Sequence, residues 1–117
     1  MIVGVCRVHL FLPENHSLKG KRSVVRRLVE RAKGKFNVAA AEVGNLDDHQ
    51  RAEIGFAVVS TEGRHANAML DKIATYCEET ALAEIAGITT ELIPLKGPLG
   101  EPMVKDDDVS FPDSWQR

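Results

Sequence analysis

IVGVCRVHLFL (residues 2–12) followed by SLKGKRSVVRRLVERAKG (residues 17–34) decides how this chain folds. The first stretch repeats every two residues. Ile2, Gly4, Cys6, Val8, Leu10 and Leu12 fall on one side, and Val3, Val5, Arg7, His9 and Phe11 on the other. β-branched residues at period two predict a strand with its first side on the core. Pro13 ends it. The second stretch has helical spacing. Leu18, Val25, Leu28, Val29 and Ala32 make an apolar stripe opposite Lys19, Arg22, Arg26, Glu30 and Lys33. Ser17 is a suitable N-cap, but Gly20 stands where a capping box would place Glu or Gln. Gly34 is expected to end the helix.

Working outward from that pair, Phe36–Val43 reads as a second strand and Gly44–Asp48 as a turn. Arg51–Ser60 alternates again: Ala52, Ile54, Phe56 and Val58 on one side, Glu53, Gly55, Ala57 and Val59 on the other. Glu62-Gly63 is a turn. His65–Glu79 reads as a second helix, with Met69, Leu70, Ile73 and Cys77 toward the core. Ile88–Ile93 is a fourth strand, ended by Pro94. The order β-α-β-β-α-β, with right-handed crossovers, predicts an α+β ferredoxin-like sandwich. Its antiparallel sheet should run 4-1-3-2 with both helices on one face. Residues 1–93 form that domain. Residues 94–117, with four of the five prolines and the run Asp106-Asp107-Asp108, are expected to be an irregular tail.

At 117 residues the chain is one domain, with 44% apolar and 27% charged residues. No run is long enough to cross a bilayer, and the opening residues lack a signal peptide's basic segment. Cys6 and Cys77 are far apart in apolar patterns, which argues against a disulfide framework or a thiolate metal site. The expectation is a cytoplasmic protein with reduced thiols and no membrane contact. The net charge of −2 hides an asymmetry. Residues 13–35 carry eight basic residues against two acidic, or +6, and the rest of the chain is −8. Such a segment marks either an anion-binding face or a solvated helix face.

Four segments together, MIVGVCRVHLFLP (1–13), HSLKGKRSVVRRL (16–28), FNVAAAEV (36–43) and QRAEIGFAVVS (50–60), resemble the YlxP-like family of small bacterial proteins. The resemblance covers residues 1–93 and implies a ferredoxin-like fold. It implies no activity, since the family is of unknown function. Family genes often lie beside translation and ribosome-maturation genes, which implies by association a role around RNA or the ribosome. Family members often carry an acidic residue at the position of Gly20 and an aromatic at that of His49.

The topology brings the first strand-to-helix loop, the start of helix 1 and the second hairpin to one end of the sheet. His16, Lys19, Lys21, Arg22, Arg26, Lys33, His49 and Arg51 are the expected RNA- or anion-binding residues. The competing reading has Lys21 and Arg22 tying loops down against Asp47, Asp48 or Glu42. Lys21 falls in the apolar sector, so it must snorkel past the sheet or meet an anion. His16, His49 and Asp47 follow no recognised metal spacing, and no catalytic group, metal or cofactor is assigned. The helix-free sheet face has no aromatic platform on strand 3 for stacking bases. Val3, Val5, Phe11, Ala57 and Val59 form an expected contact surface instead, for a second subunit or for the tail through Phe111 and Trp115.

The functional expectation is a non-enzymatic protein associated with RNA or a ribosomal particle through the basic face of helix 1. The alternatives are a homo-oligomerising interaction module built on the open sheet face, or a small-anion binder at the start of helix 1.

Overall fold

The alternation of residues 2–12 becomes the centre of the sheet. In the computed structural model, which describes residues 1–80 and 83–96, strand β1 spans Ile2–Phe11. Helix α1 (Leu18–Lys35), β2 (Ala39–Gly44), β3 (Arg51–Ser60), α2 (Gly63–Thr80) and β4 (Glu84–Pro94) follow. The sheet order is β2-β3-β1-β4, and every neighbouring pair is antiparallel. This is the predicted ferredoxin-like order read from its other edge. The expected tail lies outside the described residues from residue 97 onward.

Period two and period 3.6 meet in one core. Cys6, Val8 and Leu10 of β1 and Ala52, Ile54, Phe56 and Val58 of β3 are buried on one sheet face. Val25, Leu28, Val29 and Ala32 of α1 and Ala66, Leu70, Ile73 and Cys77 of α2 close over them. α1 packs over β2 and β3, and α2 over β1, β3 and β4. Burying a Leu or Ile side chain here contributes about 1.5–3 kcal/mol, so the helices are held mainly by these stripes. Among the described residues no helix lies on the other sheet face.

Several boundaries differ from the sequence reading: α2 opens at Gly63, inside the expected turn, and β2 runs on to Gly44. Phe36 is not a strand residue. It is the C-cap of α1, its N–H bonds Ala32 O at 2.8 Å, and its ring meets Tyr76 edge-on with centroids 5.6 Å apart. The strand therefore begins three residues later, at Ala39. Gly34 does not end α1, which continues through Lys35 because nothing at Gly34 forces a left-handed turn. β4 begins four residues before Ile88. Gly87, a poor strand former, is carried by its pairing to His9, and Ala86 is the extra residue at the register shift between His9 and Leu10. At its far end β4 reaches Pro94, opposite Ile2.

Candidate functional site

The end of the sheet where β1 leads into α1 is built around Lys21. Its side chain is fully buried, one helical turn in from the cap. Ser17 Oγ accepts from Gly20 N at 3.0 Å and so caps the helix, as expected. The apolar sector then forces Lys21 inward, toward the β2–β3 hairpin. Its ammonium donates to the carbonyls of Asn45 (2.6 Å), Leu46 (3.3 Å) and Arg51 (3.2 Å). An ammonium has three protons, and these three carbonyls take them. Glu42 Oε2 lies 2.9 Å from the same nitrogen, close enough for full charge attraction but without a hydrogen bond directed at it. Lys21 therefore meets its anion within its own chain, on Glu42 rather than Asp47 or Asp48.

Asn15 ties the same loops from outside. Its Nδ2 donates to Ser17 O at 2.7 Å and to His49 O. Gln50 Nε2 reaches Pro13 O at 3.2 Å, and Leu12 N bonds Gln50 O at 2.7 Å. The hairpin turn is shaped by Asn45 at φ 58° and by Asp48. The Asp48 carboxylate accepts from Gln50 N (2.9 Å) and Arg51 N (3.2 Å). The Gln50 hydrogen bond, aided by those of Arg51 and its charge, holds the Asp48 carboxyl below the usual carboxylate range.

The structure thus brings the first loop, the helix start and the second hairpin together. His16 and His49 are exposed on these loops. Lys19, Arg22, Arg26 and Lys33 are all exposed on α1, and at about 100° per residue they fall within about 60° of arc. Arg27, Arg31 and Lys35 flank them, also exposed. Among the described residues, none of these seven cations forms an ion pair. Arg51 is separate from that stripe. It sits on the helix-free face, with its guanidinium 5.3 Å from the centre of the Phe11 ring. α1 has no acidic residue in its first turn, where Lys19 opposes the positive end of its dipole, and Arg22 follows just beyond it.

The helix-free face carries the expected contact residues. Val3 pairs with Val59 and Val5 with Ala57, while Phe11 stands apart at the far end under Arg51. Val59 is 61% exposed. A shallow depression of about 520 Å³ has Val5, Ala39, Ala41, Gly55 and Ala57 along it, with Arg7, Thr89 and Glu91 at its rim. Sequence reading did not connect the charges beside it. Arg7 Nε lies 3.0 Å from Glu53 Oε1, and His9 Nε2 lies 3.7 Å from the same oxygen. The signal was present, since Arg7, His9 and Glu53 share the outward side of paired strands. Gly44 makes room for them: a Cβ there would lie 1.8 Å from Glu53 Oε2.

Both thiols belong to the core. Burial raises the Cys6 thiol, and burial with the charges of Cys6 and Glu78 pushes Cys77 up to about 12. Among the described residues no group of three or more His, Cys, Asp or Glu is placed to hold a metal, and no helix is long and apolar enough to cross a membrane.

A four-stranded open sheet with two helices on one face and a basic outer helix defines the class: a small ferredoxin-like α+β domain. Within it, the chain matches DUF503 (protein of unknown function) over residues 3–90 and belongs to that family. It is 30% identical over 77 residues to the uncharacterized protein YlxP of Bacillus subtilis (strain 168), covering 66% of this chain and 84% of that protein. Among solved structures it resembles a variant of SnoaB, a cofactor-independent oxygenase from Streptomyces nogalater. That likeness has a TM-score of 0.44 at 13% identity, across 86% of this chain and 98% of the other, and is too loose to bear on activity.

Proposed function

We propose that the protein is a non-enzymatic RNA-associated protein that meets structured RNA or a ribosomal particle through the outer face of α1. The observation that carries this reading is the stripe of Lys19, Arg22, Arg26 and Lys33, exposed and free of ion pairs among the described residues. A helix face that merely kept the protein hydrated would gain from interspersed acids, and Glu30 is the one acidic residue of α1. The cations at the helix start are electrostatically unfavourable until a polyanion is present. Phosphates spaced along a nucleic-acid backbone supply such a partner without demanding base contacts.

The small-anion alternative at the helix start loses its central residue, because the Lys21 ammonium is occupied by Glu42 and three carbonyls. His16, His49 and Arg51 enter the RNA reading only as flanking contacts.

The test is binding of the full chain to ribosomal particles and to structured RNA. Binding is expected at low salt and is expected to fall at least tenfold, about 1.4 kcal/mol or more, in the double variant Arg22→Glu with Arg26→Glu. No binding at low salt, or equal binding by the variant, would sink the proposal.

A further inference from the structure

Over its middle the helix-free face has a tall side and a low side. There β1 and β4 raise Val5, Arg7, Thr89 and Glu91, whereas β2 and β3 present Ala39, Ala41, Gly55 and Ala57, bounded by the Val43 side chain beside Gly55. The division follows the register, since Val5 pairs with Ala57 and Arg7 with Gly55. The depression described above is the space left over the low side.

We infer that a second copy of the chain fills this space, stacked face to face about a two-fold axis running along the strands midway between β1 and β3. Such an axis sets each β1 residue of one copy over its own β3 neighbour in the other. Arg7 then lies over Gly55, Val5 over Ala57, Val3 over Val59 and His9 over Glu53. Over the middle of the sheet the tall side of each copy seats on the low side of its mate, which is the self-complementarity an isologous interface requires.

Area and charge agree with this occupant. Strands about 4.8 Å apart and residues about 3.4 Å apart give a face of roughly 600 Å², so two faces bury roughly 1,200 Å², the lower bound of a specific interface. The face carries Arg7 and Arg51 against Glu53, Glu84 and Glu91, a net charge of one per copy, so repulsion between two copies is small. Glu53 already neutralises Arg7 at 3.0 Å, and the pair can be covered together. The three carboxylates make this face a poor seat for phosphate. The basic stripes of α1 lie on the other side of each sheet and stay outside in the dimer. The inference therefore stands independently of the RNA reading.

Sedimentation equilibrium of the full chain tests it. The native protein should run at the mass of two chains. Val59→Asp and Ala41→Asp, both at exposed positions that leave the core intact, should each weaken self-association at least about tenfold. Thermal melts confirm that each variant is folded. Arg22→Glu with Arg26→Glu should leave the dimer unchanged. A single-chain mass at every concentration, as would follow if residues 97–117 covered the face, overturns the inference. So does a dimer that persists unchanged in both face variants, which would place the contact at a sheet edge or elsewhere.

Discussion

The Lys21 ammonium sits 2.9 Å from Glu42 Oε2 in the closed end of the fold, with the lysine side chain fully buried and the glutamate 15% exposed. One cation thus fastens α1 to β2 through charge and to the β2–β3 turn through three carbonyls.

Removing either partner has unequal consequences. Lys21→Ala leaves the Glu42 carboxylate without its cation and takes the ammonium from the Leu46 and Arg51 carbonyls, while Asn45 O keeps its bond from Asp48 N, and is expected to cost about 3–5 kcal/mol. Glu42→Gln leaves the carbonyl bonds in place and should cost about 1–2 kcal/mol. Urea unfolding measures both. Equal losses would mean that the charge pair, not the turn carbonyls, dominates.

Two helical glycines of α1 should respond differently to alanine. Gly34 has nothing within 4 Å of an added Cβ, so Gly34→Ala should stabilise by about 0.5–1 kcal/mol. At Gly20 the added Cβ would lie 2.3 Å from Asn15 Oδ1 and displace the side chain that bridges to His49 O and Ser17 O. Gly20→Ala should therefore gain nothing, despite the better helix propensity. A stabilisation equal to that of Gly34→Ala would show that the Asn15 bridge is dispensable.

The buried thiols predict an alkaline limb. Cys77 ionises at about 12 in the folded chain, above the ordinary thiol value of 9.0. The folded state thus holds that proton more tightly than the unfolded state. Its contribution is complete below about pH 9 and is lost as pH rises toward 12, at up to about tenfold in the folding equilibrium per pH unit. Melting temperatures of the native protein and Cys77→Ala between these limits should converge as pH rises, because the variant lacks this loss. Parallel curves would contradict the assignment.

Glu53 depends on Gly44. Gly44→Ala should expel the Glu53 carboxylate, break its contacts with Arg7 and His9, and destabilise the β2–β3 hairpin by about 1–3 kcal/mol. Gly44→Ala combined with Glu53→Ala should recover part of that loss, because the clash is gone. A single variant as stable as the native chain would show that the hairpin moves aside freely.

Much of this architecture was legible in the residues. β3 runs from Arg51 to Ser60 as read, because strict alternation of buried Ala52, Ile54, Phe56 and Val58 fixes both period and face. Ser17 was legible as a cap for the same local reason. β4 was less so: Glu84–Gly87 carries no strand pattern of its own and is ordered by β1. Phe36 misled because an aromatic after a glycine favours a strand locally, whereas its packing on Tyr76 is a tertiary contact. Lys21 was visibly anomalous in an apolar sector. Its choice of Glu42 over Asp47 and Asp48 depends on the bend of the hairpin, where Asp48 is already engaged with Gln50 and Arg51 backbone amides.

The most direct test of the functional account is the salt dependence of RNA binding by the native chain beside Arg22→Glu with Arg26→Glu. If these side chains each neutralise a phosphate, log affinity against log salt should be shallower in the variant by about 1.4–1.8, the sum of two counterion-release terms. A native slope near zero, or identical slopes for the two proteins, would contradict it.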